Sequence, residues 1–382
     1  MASIYLPTDV RTARRFIRAF RVLGRSLNLP AQPVGRLPFP VPPRIAFTGL
    51  DLLLDIGVAC TQPHTLYDPS NLYALLRYGT ALVETGRSLA LSSAVAELDP
   101  HKKMVLSDEF GCGVAFRAAR SMFGAAVFLD VTTAISRGWL RPNQGNLRRP
   151  DYVALLPSGD MLLFEAKGSQ SGPTYCRKQQ IPSGCGQLAA VGLGRGFTRK
   201  IAHRVVVATA IAKDSSVWHS QALIGDPPGR PKIVLEPSGP PDELIVRSHY
   251  TRVASLTADE ELLDHLFPDR PRPEWASGPG ASVTPDIVEI RGEPFRGREL
   301  QIDSAEGRLR IFVGVHDGIR QLLLSPDRGS AVSLLLDHKL KALPQVSSLT
   351  PSAKVKEWAA LSNDGCVLYV VDELAEVADR PG

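Results

Sequence analysis

Three charged side chains stand out by type and spacing: Asp151, Glu165 and Lys167. Asp151 follows Pro150 and opens the apolar stretch Tyr152-Val153-Ala154-Leu155-Leu156. Glu165 and Lys167 flank Ala166 at the end of a second apolar stretch, Met161 to Phe164. Residues two apart on a strand point to one face, so Glu165 and Lys167 share a face. Between the stretches lies Pro157-Ser158-Gly159-Asp160, a turn, which makes the two a hairpin. The hairpin brings Glu165 back to the level of Asp151. Three charges meeting at one end of an apolar hairpin are costly unless they bind something. Two carboxylates are hard oxygen ligands suited to Mg²⁺ or Mn²⁺, which keep waters and take substrate phosphate as a further ligand. Such a metal polarises a phosphoryl oxygen and acidifies a bound water. A neighbouring ammonium orients that water and offsets charge in the transition state. The chemistry that fits is hydrolysis of a phosphodiester.

The elements that must position this hairpin surround it. Ser107 is read as the cap of a helix over 107–123, with Phe110, Val114, Ala118 and Met122 along one side. An apolar run at 125–131 has strand character. The hairpin strands follow at 152–156 and 161–167. Residues 184–194 read as a helix, and 202–211, with Val205, Val206 and Val207 in sequence, as a strand. The order is helix, three strands, helix, strand. The Gly/Ser/Gln-rich segment 168–186 is expected to be a mobile loop over the site.

The pattern resembles the PD-(D/E)xK nuclease superfamily, the restriction-endonuclease-like fold. The resemblance is carried by Pro150-Asp151, by Glu165-Ala166-Lys167 and by the element order from about 105 to 212. It implies that Asp151 and Glu165 bind Mg²⁺ or Mn²⁺ and that Lys167 assists the water. It also implies an acid on the preceding helix and a Gln or basic residue on the following one. The candidates are Glu109, which could instead serve the helix start, and Gln187, with Gln180 as its rival. Arg141, Arg148 and Arg149 precede Asp151 on the entry side and Lys178 follows the site; they are the candidates to hold a phosphate backbone, unless they are ordinary solvated basic residues. Arg177 lies beside Lys178, and Tyr175 is placed to stack on a base or to be plain surface.

The activity this implies is metal-dependent hydrolysis of nucleic acid, with DNA as the expected substrate and restriction or anti-phage defence as the setting, by analogy of fold. RNA processing would use the same site. The alternative is a nuclease-fold subunit without turnover that binds nucleic acid or assembles a complex.

The rest of the chain bounds these readings. With 382 residues it is long enough for two domains and an appendage. The expected division is a basic N-terminal helix, Pro-rich arm and helical region over 1–96, a nuclease-like core over 97–225, a Pro/Gly-rich connection over 226–285, and a C-terminal α+β module over 286–382. Fold class is α/β, a mixed sheet flanked by helices. Residues 1–50 hold eight arginines and one acid, a balance of +7, while the remaining 332 residues sum to −2. The arginines between 11 and 25 share a face of a helix expected over 8–26, which could dock on the body, contact nucleic acid or serve targeting. Six prolines between 30 and 43 mark the arm, and 72–91 reads as helical. In the C-terminal module strands are expected at 287–290, 309–315 and 366–371 and a helix at 331–343; the module is a place for a separate subunit to bind, and a homodimer is compatible with the whole.

Five cysteines, an odd number without a CxxC pair, argue for a reducing compartment, and with no apolar leader at the N-terminus the expected location is cytoplasmic. No apolar run approaches the ~18 residues of a membrane helix. No HExxH or Gly-Lys-Ser/Thr loop occurs, which argues against zinc-protease chemistry and nucleotide hydrolysis.

Overall fold

The computed structural model describes residues 26–61, 78, 81–85, 88–136, 140–142, 148–193, 201–227, 241–268, 285–304, 307–325 and 356–373. Within them the protein is a mixed α/β structure. Its main sheet has seven strands: β1 (Ser26–Val34), β2 (Arg44–Thr48), β5 (Val127–Asp130), β7 (Tyr152–Leu155), β8 (Met161–Ser169), β10 (Ile201–Ala210) and β11 (Gln221–Gly225). Their spatial order is β2-β1-β11-β10-β8-β7-β5. β8 runs parallel to β10 and antiparallel to β7, and β1 is parallel to β11. Two small pairs complete this part: β3 (Leu82–Thr85) with β4 (Ser88–Leu91), whose Leu91 bridges to Lys213 beyond β10, and β6 (Leu140–Pro142) with β9 (Val191–Leu193).

Helix α1 (Gly49–Cys60) starts from a capping box formed by Thr48 and Asp51. Helix α2 (Pro100–Phe123) is capped by Asp99, carries Pro at its first position and ends at the left-handed Gly124 (φ 68°). A short helix α3 (Val131–Ser136) follows β5. Helix α4 (Ile181–Ala189) continues from a turn at Pro173–Tyr175 and a π-helical turn at Cys176–Gln180. Phe164 of β8 meets Phe116 of α2, whereas its neighbour Glu165 lies against Gly184 of α4. Alternation along β8 therefore puts α2 and α4 on opposite faces of the sheet. Eight of the nine residues of β8 are buried, as a central strand with both faces covered requires.

Beyond the sheet come α5 (Pro241–Thr257), α6 (Glu260–Leu266) and α7 (Asp317–Leu324). A five-stranded antiparallel sheet, in the order β12-β13-β14-β16-β15, completes the described chain: β12 (Asp286–Ile290), β13 (Glu293–Ser304), β14 (Gly307–His316), β15 (Lys356–Leu361) and β16 (Cys366–Asp372). One continuous apolar core runs from Leu27 through both sheets to Val370. A buried polar tie reinforces it. In the β15–β16 turn, Asp364 takes Arg120 Nη2 of α2 (2.8 Å), His249 Nε2 of α5 (2.8 Å), the Ser362 hydroxyl and the Cys366 amide (3.1 Å). Arg120 Nε reaches on to Asp55 of α1 (3.0 Å). His249 Nδ1 accepts the Phe128 amide (3.3 Å), so Nε2 carries the proton given to Asp364.

Several expectations need correction. Helix α2 begins at Pro100 and not at Ser107, because Asp99-Pro100 is the stronger start; Ser107 lies inside and its hydroxyl donates to Lys103 O (2.7 Å). The arm is in part sheet: β1 and β2 belong to the main sheet, so the core draws on residues before 97. The helical reading of 72–91 fails at 82–91, which is the β3–β4 pair. Segment 168–186 is not a loop but the end of β8 and a helical run into α4. The connection at 226–285 contains α5 and α6, with His249, Tyr250 and Val253 fully buried. Strands β13 and β15 and helix α7 were not anticipated. The expected helix at 331–343 and nearly all of that at 8–26 lie outside the described residues; Ser26 begins β1. All five cysteines are free thiols. No helix among the described residues is long and apolar enough to cross a membrane.

Candidate active site

The hairpin delivers its charges as its register requires. Tyr152 pairs with Phe164, which sets Asp151 opposite Glu165. Asp151 Oδ2 accepts the Ala166 amide (2.9 Å), and its carbonyl accepts Val131 N (3.0 Å), so both ends of this residue are fixed. The Lys167 ammonium touches Glu165 Oε1. Glu165 is fully buried and Lys167 keeps 25% of its side chain in solvent. Lys167 is thus the exposed member of the group and Glu165 its floor.

Two close backbone approaches hold β8 in place. A Cβ on Gly168 would lie 1.7 Å from the Ser107 carbonyl, and one on Gly111 would lie 2.6 Å from Gly168 N. Helix α2 therefore rests directly on the chain beside Lys167. On the other face, a Cβ on Gly184 would lie 2.6 Å from Val206 Cγ1 and 3.2 Å from Glu165 Cγ. Gly168 and Gly184, within the segment expected to be mobile, are close-approach positions.

The electrostatics of the site are unbalanced. Burial, then the Asp151 carboxylate, push Glu165 up to about 8, against the pull of Lys167. Burial also raises Asp151, opposed by the Ala166 amide and Lys167. Despite the Lys167 contact, neither Glu165 oxygen receives a hydrogen bond of normal geometry. Both carboxyls are thus pushed toward the neutral form, by burial first and, for Glu165, by the neighbouring Asp151 carboxylate. The two carboxylates are hard oxygen donors of the kind a divalent cation takes. Such a cation would satisfy the orphaned Glu165 oxygens and remove the repulsion with Asp151. Among the described residues no group of three or more His, Cys, Asp or Glu side chains is gathered for a metal. Two carboxylates with water and phosphate oxygens suit Mg²⁺ or Mn²⁺, and do not suit zinc.

The structure does not bring every candidate to this point. The Glu109 carboxylate accepts the Tyr78 hydroxyl. Its neighbour Asp108 is the acid of α2 within electrostatic reach of Lys167 and Asp151. The signal was in the helix phase: Asp108 stands one turn before Gly111, the residue that rests on β8. Gln187 Nε2 donates to Arg149 O (2.8 Å), so it pins the chain entering β7 rather than facing the carboxylates. Gln180 does the same for β8, donating to Gly168 O (2.9 Å). Arg148 is exposed and Arg149 half-buried, both just ahead of Asp151. Arg141 lies on β6, opposite Gly192 of β9. Lys178 and Arg177 are exposed on the π-helical turn, and Arg177 Nη2 donates to Gln32 Oε1 (3.2 Å). Cys112 of α2 meets the Tyr152 hydroxyl (3.6 Å); burial and the nearby Asp151 push its thiol up to about 12, an unreactive state.

No family model, no curated protein and no solved structure matches the chain.

Proposed function

We propose that this protein is a metal-dependent nuclease of the PD-(D/E)xK kind that hydrolyses phosphodiester bonds of DNA. Asp151 and Glu165 hold Mg²⁺ or Mn²⁺, and Lys167 stands beside them. The observation that carries the reading is Glu165. A carboxylate buried against α4, with the Lys167 ammonium beside it but no well-aligned donor on either oxygen and with its acidity suppressed, is a poor structural element and a ready cation ligand. When bound, the cation supplies polarisation of a phosphoryl oxygen and acidification of water.

The chain's own residues do the rest. Asp151, tied to the Ala166 amide, is held at fixed distance from Glu165. Lys167 reaches from the floor of the site into solvent, where its ammonium can hold a water or offset the charge of the pentavalent phosphorus. Arg148 and Arg149, just ahead of Asp151 in the chain, would hold phosphates in register. Restriction or anti-phage defence is the setting that the family resemblance implies, by analogy of fold.

The test is cleavage of plasmid, linear duplex, single-stranded DNA and RNA by the purified protein with Mg²⁺, Mn²⁺ or EDTA. Cleavage that requires metal and disappears in Glu165→Gln and Lys167→Ala supports the reading. Nucleic acid bound equally by all three proteins, without cleavage and without a thermal response to Mn²⁺, would replace it with that of a binding subunit.

A further inference from the structure

The strand that carries Glu165 and Lys167 ends in an acid-free stretch. The 48 residues from Ala166 to Lys213 contain eight Lys and Arg and no Asp or Glu. Among its described residues Arg177 and Lys178 are exposed, which suits contact with a polyanion, while Asp214 begins the acids again in the following loop. It is also where exposed aromatic and apolar side chains collect. Tyr175 is 45% exposed and Val217 is fully exposed at 102%. The indole of Trp218, half-buried, lies against Gly172, 3.5 Å from where a Cβ would stand. Gly172 caps the turn that carries Tyr175, and its carbonyl accepts the Cys176 amide (3.2 Å). Arg177 and Lys178 follow on the same helical run, both exposed.

This surface adjoins the candidate active site. Ser169, two residues past Lys167, accepts the Ile211 amide (2.8 Å), and the chain enters the loop bearing Val217 and Trp218 just beyond. Gly172 follows Lys167 by five residues, so it lies at most ~18 Å away, a span of about three nucleotides. A duplex shows the edges of its bases in the grooves but hides their faces in the stack. Aromatic faces interleaved with Arg and Lys gain from bases that are not paired.

We infer that the Pro173–Gln180 turns and the loop between β10 and β11 form a stacking platform for unpaired nucleotides, so that the strand presented to Lys167 is single-stranded. The inference rests on the nuclease reading for what happens after binding, but binding itself is measured separately. Fluorescence anisotropy of the full chain in EDTA would use labelled oligo-dT, oligo-U and a duplex of equal length, about 20 nucleotides. Single strands should bind more tightly than duplex. Trp218→Ala and Tyr175→Ala should each weaken single-strand binding about tenfold, as loss of one stacked base does. Trp218→Phe should retain most of it, and Ile287→Ala, an exposed apolar side chain on β12, should change nothing. Tyr175 is at the surface, so its replacement leaves the fold intact. Preference for oligo-U over oligo-dT would name RNA as the strand bound.

The inference is overturned if duplex is preferred, if both alanine variants bind as wild type, or if no oligonucleotide is bound. Metal-dependent cleavage of duplex, unchanged in Trp218→Ala, would overturn it while the nuclease reading stands. Single-strand binding without any Mn²⁺ response would do the opposite.

Discussion

Asp364 and Glu165 are both withdrawn from water, and burial leaves them in opposite states. Around Asp364 the fold supplies donors from Arg120, His249, Ser362 and the Cys366 amide. Burial by itself would raise its carboxyl, but these partners hold it well below the usual carboxylate range. Around Glu165 the fold supplies one ammonium, a second carboxylate and no properly aligned donor, and the carboxyl rises to about 8. The first arrangement is complete as it stands and joins α1, α2, α5 and the C-terminal sheet. The second is incomplete, and it is the one placed beside a half-buried lysine at the end of the central strand. Satisfaction of the buried charge, more than its presence, separates a fastening from a site.

The largest effect expected from this contrast is on turnover. Glu165→Gln should lower metal-dependent cleavage by ~10⁴-fold, about 5 kcal/mol in the barrier, with little loss of folding. An equal loss of stability would mean that Glu165 is structural too. Next is Arg120→Met, which strands Asp55 and Asp364 without their shared cation and should cost about 3–5 kcal/mol in a denaturant titration. A change under ~1 kcal/mol would erase the distinction drawn above.

The third effect depends on pH. Glu165 is raised from its ordinary 4.5 to about 8, so between those values the folded state holds a proton that the unfolded state has lost. Stability in EDTA should therefore fall as pH rises through this window. Glu165→Gln lacks that loss. The variant should match wild type near pH 5 and exceed it by a few kcal/mol above pH 8, and saturating Mn²⁺ should close the gap by stabilising wild type alone. A gap that is constant with pH would show that Glu165 is ionised throughout. The smallest contrast is on α2: Asp108→Asn should reduce cleavage several-fold, whereas Glu109→Gln should stay within about twofold, since its partner is Tyr78. The reverse order would restore Glu109 to the site.

The hairpin and its charges were legible because period-two alternation, a Pro-Ser-Gly-Asp turn and apolar flanks all agree over 150–167. What failed were positions where a local signal has two physical origins. Pro30 and Pro33 read as an arm, yet both lie in β1. That strand pairs with β2 over Ser26–Pro30 and with β11 over Ala31–Val34, so no stretch of it is bonded on both sides and prolines are tolerated. The buried Leu27, Leu29 and Ala31 alternate as a strand should. Gly184 read as looseness and is a contact with Val206 and Glu165. Asp108 and Glu109 are adjacent, and only the phase of α2 against β8 tells them apart. That phase is set by Gly111 and Gly168, a pairing across the fold that no local pattern reveals. Asp364 was invisible for the same reason, since its partner Arg120 is 244 positions earlier.

That separation has a consequence during synthesis. At 5–20 residues per second, α2 leaves the ribosome roughly 10–50 s before Asp364 has been translated. Through that interval Arg120 lacks its partner in the β15–β16 turn, and the helix whose Ser107 and Gly111 seat the strand beside Lys167 is not yet fastened. The end of the sheet that carries Asp151, Glu165 and Lys167 is therefore fastened only once the β15–β16 turn has emerged, and a chain terminated before that turn would carry the triplet of charges without this part of its frame.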